Sequence, residues 1–215
     1  NICLAYKIPF IYASSAAVYG GLTDFRVRIG EERPLNVYGY SKALMDQYVA
    51  KKLPEAESQI VGLRYFNVYG PREQHKGSMA SVAYHHCQQL QADGVVKLFE
   101  GCDGYGDGEQ LRDFVYVKDT VRVKLWLLDN PDVRGIFNCG TGRAEAFNEI
   151  AQGVIDYFGK GEIKYIPFPK NLVGSYQSFT QANMDALRKV GFAETFRGVR
   201  QGVTDYMEWL TQYYG

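Results

Sequence analysis

The sequence is poor in the residues that build metal centres and disulfide frameworks. Its 215 residues include four cysteines and three histidines. No two cysteines form a CxxC pair and no histidine stands in an HxxxH or HxxE pattern, so we expect no zinc site and no other metal centre. Isolated cysteines are typical of reduced thiols. They indicate a reducing compartment, and we expect a cytoplasmic protein.

Net charge and long apolar runs are also missing. The 24 Lys and Arg residues balance the 24 Asp and Glu residues, which leaves a formal charge of zero. Binding to nucleic acid or to an anionic membrane normally requires a basic patch, so neither partner is expected. No apolar run approaches the roughly 18 residues that span a bilayer. The content of 46% hydrophobic and 14% aromatic residues is typical of a globular fold.

The glycine-rich turn that holds the phosphates of a dinucleotide is absent too, since neither GxGxxG nor GxxGxxG occurs. Gly140-Thr141-Gly142 lies between a predicted strand and a predicted helix, which suits a phosphate turn. Glu145 stands where the third glycine would be, so an ordinary turn is favoured. The chain starts at Asn1 without a helix start signal. We therefore expect that it begins inside a longer protein.

The apolar pattern predicts strands that alternate with helices. Such alternation is typical of an α/β fold built on a parallel sheet. Ser78 is the expected cap of the second predicted helix. The predicted strands cover residues 8–13, 59–66, 97–99, 111–117 and 135–139, and the predicted helices cover residues 38–53, 78–92, 119–128, 146–158, 181–190 and 199–210.

Tyr38 and Lys42 stand one turn apart at the start of the first long predicted helix, so their side chains share a face. A positive neighbour favours the phenolate form of a tyrosine, which would make Tyr38 a base near neutral pH. An exposed lysine alone supplies too little of this effect, so burial or a second cation, such as an oxidised nicotinamide, is required. The alternative for this pair is an ordinary solvated helix face.

Ser14 and Ser15 follow the first predicted strand directly. They place hydroxyl groups at the carboxyl end of a buried strand, which is where open α/β sheets bind their ligands. Ordinary capping of the strand end is the alternative. Taken together, a serine at the strand end, a tyrosine and a lysine predict a relay for proton transfer.

Four segments in this order resemble the extended short-chain dehydrogenase/reductase family: YASSAAVYG, PLNVYGYSK, LRYFNVYGPR and RDFVYVKD. The resemblance covers essentially the whole chain. It implies a Rossmann-like parallel sheet, truncated in its N-terminal half, and a smaller α/β substrate-binding domain. Residues 1–69, with a contribution from 112–140, would belong to the dinucleotide-binding domain. Residues 70–111 and 141–215 would form most of the substrate-binding domain.

The resemblance also implies an enzymatic activity, with Ser15, Tyr38 and Lys42 as the catalytic serine, tyrosine and lysine. Dehydratases of this family carry Thr-Asp-Glu after the strand-end serine, whereas this chain has Ala16-Ala17-Val18. The stretches NVYGPREQHKGSMASVAYHH, from Asn67 to His86, and FTQA, from Phe179 to Ala182, resemble the sugar-nucleotide epimerases. This resemblance implies that Lys76 is a second acid/base group. Another sugar-nucleotide epimerase or reductase, and a non-catalytic fragment that cannot hold a cofactor, stay open as alternatives.

The same resemblance implies NADP as the cofactor, with NAD as the alternative, an ADP-linked sugar as the substrate and a homo-oligomeric assembly. Residues 101–108 are longer and more acidic than the family pattern, and a loop is favoured there over a phosphate cradle. The implied cofactor contacts are Ser14, Tyr38, Lys42, Val68 and Lys76. The implied substrate contacts are Asn67, Ser78, His85, Phe99, Glu100, Gly101, Cys102, Arg112 and Tyr176.

Overall fold

The computed structural model of the protein describes residues 1–170 and 176–214. In its first half lie α1 (Ile2–Ala5), β1 (Phe10–Ser15), α2 (Val37–Lys52), β2 (Ile60–Tyr65), β3 (Asn67–Tyr69), α3 (Val82–Asp93) and β4 (Val95–Phe99). In its second half lie β5 (Leu111–Arg112), β6 (Phe114–Tyr116), α4 (Val117–Asp129), β7 (Gly135–Cys139), β8 (Glu145–Ala146), α5 (Phe147–Phe158), β9 (Glu162–Ile166), α6 (Asp185–Lys189) and α7 (Val199–Tyr214).

The strands β1, β2 and β7 form a three-stranded parallel sheet in the order β1-β2-β7. Phe10 pairs with Ile60 at one end of β1 and β2, and Tyr65 pairs with Cys139 at the end of β2 and β7. The central strand β2 is buried along nearly its whole length, as expected for a parallel strand that is covered on both faces. The predicted parallel α/β architecture is confirmed.

A second apolar core forms where α3, α5 and α7 pack around β4 and β9, which pair in parallel. It is distinct from the core beneath the β1-β2-β7 sheet. Two further pairs of short strands are present, β3 with β6 and β5 with β8. Two cores agree with a chain of two structural units, but the boundaries given above stay a prediction.

Three details of the sequence-based assignment are wrong. Ser81, not Ser78, caps α3, because its hydroxyl accepts the Tyr84 amide at 3.3 Å, while residues 74–79 form a separate 3₁₀ turn. The predicted strand 111–117 is split at Asp113, whose carboxylate accepts the backbone amides of Thr141 and Ala182. The helix expected from residue 181 begins only at Asp185.

Among the described residues, no helix is long and apolar enough to cross a bilayer. Nor do these residues contain a cluster of three His, Cys, Asp or Glu side chains that could ligate a metal.

His86 is a buried polar group on the inner face of α3. Its side chain is 3% exposed, and its Nδ1 atom has no hydrogen-bond partner among the described residues. Burial, helped by the neighbouring His85, lowers the pKa of His86 to about 3. An unfolded histidine titrates near 6.5. The unfolded chain therefore binds one proton more than the folded chain between these two values, so folding is weakened as pH falls through this range.

We expect the wild-type protein to lose about 2 kcal/mol more unfolding free energy than the His86→Leu variant when the pH is lowered from 7.5 to 5. Urea titrations of both proteins at the two pH values measure this difference. His75→Leu is the control, because His75 is exposed. Parallel pH dependence in the wild type and in His86→Leu would contradict the buried neutral histidine.

Candidate active site

The candidate site begins at the carboxyl end of β1, where Ser15 ends the strand and starts a 3₁₀ turn over Ala16–Tyr19. The Ser15 hydroxyl oxygen accepts the Ala17 amide at 3.1 Å. It therefore caps the turn, as one interpretation of the sequence held. A hydroxyl that accepts a hydrogen bond still has its own hydrogen to donate. Capping and proton transfer are thus compatible roles for Ser15.

The side chain of Ser14, an implied cofactor contact, is directed towards α2. Successive residues of a strand point to opposite faces, so Ser14 faces away from Ser15 and shares a face with Tyr12, where both hydroxyls bond to Asp46 on α2. The Ser14 hydroxyl donates to Asp46 Oδ2 at 2.9 Å. The side chain of Ser14 is therefore engaged inside the protein, so only its backbone is left for the expected cofactor contact.

Tyr38 and Lys42 are positioned by the start of α2. Asn36 caps this helix, because its Oδ1 atom accepts the Gly39 amide at 2.8 Å. Lys42 Nζ lies 5.7 Å from the centroid of the Tyr38 ring. The same ammonium group donates to the Ala13 carbonyl oxygen at 3.0 Å. The structure thus brings the tyrosine and the lysine together at the end of β1.

Exposure and anchoring favour different interpretations of the pair. Tyr38 is 56% exposed, as a residue on a solvated helix face would be. Lys42 is held on a strand carbonyl oxygen, which favours a positioned pair. The exposed ring of Tyr38 is left open on the side where ligands of parallel sheets bind.

Gly39 allows α2 to approach the serine turn closely. A Cβ atom built at Gly39 would lie 2.6 Å from the carbonyl oxygen of Ala17, which is shorter than any ordinary contact. The backbone of the turn cannot yield as a flexible side chain could. Glycine at this position therefore determines how near Tyr38 lies to Ser15.

Lys76 and Ser78 lie in the 3₁₀ turn formed by Gln74–Met79, which is bent at Gly77 with φ 54°. Lys76 Nζ is 3.8 Å from Glu73 Oε2, and the Lys76 side chain is 45% exposed. Glu73 is buried and accepts both the backbone amide and the hydroxyl of Ser81, at 2.8 and 2.6 Å. Glu73 thus fixes the base of the turn while Lys76 projects from it.

A cavity of about 430 Å³ lies between the strand β4, the helix α3 and the segment after residue 175. Five of the residues expected to contact the substrate line it: Asn67, His85, Phe99, Arg112 and Tyr176. Sequence reasoning missed the other lining residues, which are Val82, His86, Gln89, Lys97, Leu98, Gln110, Phe147 and Ile166. Ser78, Glu100, Gly101 and Cys102 are not part of its lining.

Arg112 is a buried charge in the cavity wall. Its guanidinium carbon lies 4.7 Å from the centroid of the Tyr176 ring, and the side chain is almost entirely buried. Burial lowers the pKa of Arg112. No carboxylate of the described residues forms an ion pair with it. A buried guanidinium without an internal counter-ion is suited to a bidentate hydrogen bond with phosphate oxygens.

The segment after β4 folds onto itself beside this cavity. The Gly101 amide donates to Asp107 Oδ1 at 2.8 Å, so the acidic side chain closes the loop. Gln110 Nε2 donates to the Glu100 carbonyl at 3.1 Å and approaches the Cys102 sulfur to 3.5 Å. A loop, rather than a phosphate cradle, is what these contacts describe.

Gly140-Thr141-Gly142 is an ordinary turn, as favoured from the sequence. Its amide groups surround a carboxylate of the protein itself: Thr141 and Gly142 donate to Asp113 at 2.7 and 2.9 Å, and the Ala182 amide donates at 2.9 Å. Asp113 thereby occupies the position that a phosphate would take in a dinucleotide turn.

The effect of the short approach at Gly39 can be measured. We expect Gly39→Ala to reduce the free energy of unfolding by about 1–3 kcal/mol, because the added methyl group overpacks against backbone. Gly153 in α5 is the matched control, since its Cβ would meet a Val203 methyl at 3.2 Å, which can yield. Alanine there gains helix propensity. Equal effects of the two substitutions in urea unfolding would contradict the close approach.

Comparison with known proteins places this geometry in a family. Residues 1–140 match the model of the NAD dependent epimerase/dehydratase family. The chain is 61% identical over 206 residues to ADP-L-glycero-D-manno-heptose-6-epimerase of Alkalilimnicola ehrlichii, an alignment that covers 96% of the chain and 64% of the relative.

Solved structures give the same assignment. The Helicobacter pylori ADP-L-glycero-D-manno-heptose-6-epimerase superimposes with a TM-score of 0.83 at 34% identity, over 98% of this chain and 62% of that one. The Thermus thermophilus UDP-glucose 4-epimerase, solved with NAD, gives a TM-score of 0.78 at 25% identity, over 98% and 67%. The chain thus spans less than two thirds of the two heptose epimerases that it resembles. With a family model that matches most of its length and this shared fold, the chain belongs to the NAD-dependent epimerase/dehydratase family.

Proposed function

We propose that the protein is an epimerase that interconverts ADP-D-glycero-D-manno-heptose and ADP-L-glycero-D-manno-heptose at C6 of the heptose. The observation that carries this proposal is the anchored pair of Tyr38 and Lys42 at the carboxyl end of β1. The 61% identity to a protein named for this activity supports the choice of substrate. The reaction would serve the synthesis of the lipopolysaccharide inner core.

NADP is the proposed cofactor, and NAD is the alternative. Tyr38 and Lys42 fit the nicotinamide-ribose end of either molecule, because they stand at the edge of the parallel sheet where dinucleotides bind. The backbone at Ser14 and Val68, together with Lys76, would complete these contacts. The given sequence has no glycine-rich turn for the pyrophosphate, so the phosphate end has no proposed residues here. A bound nicotinamide would supply a reversible acceptor for the hydride of the sugar carbon.

The proton chemistry falls to the side chains of the protein. Tyr38 removes the proton of the hydroxyl group on C6 of the heptose. The charge of Lys42 favours the phenolate form of Tyr38, which acts as the base. The Ser15 hydroxyl donates a hydrogen bond to the same sugar oxygen. The hydroxyl proton is removed and returned in opposite configurations of the carbon, which favours an acid/base group on each side, and Lys76 is proposed as the second group. The ammonium group of Lys76 projects from the turn that is bent at Gly77.

The cavity beside α3 is proposed to hold the nucleotide portion. Arg112 would bind the diphosphate, and the aromatic rings of Phe99 and Tyr176 would flank the base or the ribose. A cation whose charge is not neutralised within the protein gives this end of the substrate its binding energy. Proposed additional contacts come from Asn67, Ser78, His85, Glu100, Gly101 and Cys102.

We propose that the enzyme is cytoplasmic and homo-oligomeric. All four cysteines are free thiols, which agrees with the cytoplasm. A homo-oligomer is proposed from the resemblance to the family alone. Another sugar-nucleotide epimerase or reductase is the alternative activity, while a dehydratase is disfavoured by Ala16-Ala17-Val18.

Product analysis tests the substrate. The intact enzyme, loaded with NADP, is incubated with ADP-D-glycero-D-manno-heptose or with UDP-glucose, and the sugar is identified by proton NMR. We expect an equilibrium mixture of the two C6 epimers from the first substrate and no change in the second. Conversion of UDP-glucose alone would overturn the proposed substrate.

We expect Tyr38→Phe and Lys76→Met each to lower kcat by about 10²-fold or more, because each removes a group that transfers a proton. Tyr40→Phe and Lys51→Met are matched controls, since both side chains lie on the exposed surface of α2. Rates come from the same NMR assay. Full activity of both active-site variants would remove the proposed mechanism.

A further inference from the structure

Arg64 is a fully buried charge in the middle of the sheet. It lies on the central strand β2, and its side chain is 0% exposed. Its Nε atom donates to Asp46 Oδ2 at 2.7 Å, and its Nη2 atom donates to Glu32 Oε1. Both carboxylates are as buried as the guanidinium. We refer to Glu32, Asp46 and Arg64 as the buried triad.

The triad is bonded to the strand that leads into the active site. Asp46 also accepts the Tyr12 hydroxyl at 2.8 Å and the Ser14 hydroxyl at 2.9 Å, both from β1. On its other side, the Arg64 guanidinium carbon lies 5.1 Å from the centroid of the Tyr19 ring, in the turn that follows Ser15. The Arg64 guanidinium group thus contacts three segments, which are α2, the loop before α2 and the turn after Ser15.

These segments carry or adjoin Ser15, Tyr38 and Lys42. Asp46 stands one helical turn after Lys42 on α2, so the two side chains lie on neighbouring positions of one face. Glu32 lies in the loop that leads into α2, and its carboxylate also accepts the Gly30 amide at 2.7 Å. Ser15 lies between Ser14, which binds Asp46, and Tyr19, which faces Arg64.

We propose that Arg64 is a positioning residue that sets the placement of Tyr38 and Lys42 relative to Ser15 through Asp46 and Glu32. The kinetic part of this proposal rests on the proposed function, whereas the structural part does not.

Stability alone is a weak reason for such a triad. Three charges must be removed from water, and well-packed apolar residues often stabilise a protein equally well or better. The planar guanidinium offers something that apolar residues do not, because its hydrogen bonds have fixed directions and hold two carboxylates at a set angle. Directional bonds are what a relay of three hydroxyl and ammonium groups requires, since general acid-base catalysis depends on hydrogen-bond geometry.

The test separates geometry from charge neutralisation. Arg64→Lys keeps the charge but loses the fork of donors. The triple variant Glu32→Gln, Asp46→Asn, Arg64→Met removes all three charges, so it leaves no buried ion without a partner. Arg197→Lys is the control, because Arg197 also binds a buried carboxylate, that of Asp119, outside the active site.

Two readouts are made on the intact enzyme with NADP. We expect kcat to fall at least 10-fold in Arg64→Lys and in the triple variant, with KM changed less than 3-fold. Amide hydrogen exchange at residues 37–42 should accelerate at least 10-fold in both, while exchange in α5 stays unchanged. Arg197→Lys should lower the melting temperature and leave kcat and the exchange of residues 37–42 as in the wild type.

A folded triple variant with wild-type kcat and wild-type exchange at residues 37–42 would overturn the proposal. If the triple variant does not fold, the exchange and kcat of Arg64→Lys decide in the same way. If the wild type is inactive on the heptose substrate, the proposed function fails. The exchange readout then still tests whether Arg64 positions the start of α2.

Discussion

A positive charge buried in the central strand is the constraint on which the sheet and its active-site edge depend. Arg64 has no access to water, so its charge must be neutralised by groups that fold around it. Asp46 reaches it from α2 and Glu32 from the loop before α2. The requirement to pair this charge therefore fixes the helix that carries Tyr38 and Lys42 against the strand that carries Ser15.

Arg112 is a second buried guanidinium, with the opposite outcome. Both guanidinium groups are buried and both lie against tyrosine rings. Arg64 is neutralised by two internal carboxylates and serves the structure, whereas no carboxylate of the described residues pairs with Arg112. The charge of Arg64 is thus neutralised within the fold, whereas Arg112 is suited to an anionic ligand. This contrast shows how a chain with no net charge could still offer a local cation to the proposed diphosphate.

The sequence predicted those parts of the structure that follow from local spacing. Alternating strands and helices predicted the parallel sheet, and the one-turn separation of Tyr38 and Lys42 predicted their contact. Contacts between distant segments were not predictable in this way. Nothing in the local sequence pairs Arg64 with Asp46, although a charged residue within an apolar strand was a signal that a partner must exist. The cap of α3 was misassigned for a similar reason, since Ser78 and Ser81 both suit a cap and the distant Glu73 contact favours Ser81.

The central claim is that the sugar carbon is inverted by transient oxidation, with proton transfer by side chains of the protein. It is tested most directly with ADP-heptose that carries deuterium on C6, incubated with the intact enzyme in ordinary water. The account predicts that the epimerised product retains its deuterium, because the hydrogen of the carbon is returned within the site. Replacement of the deuterium by solvent hydrogen at the rate of epimerisation would show removal of a carbon-bound proton, and would contradict the account.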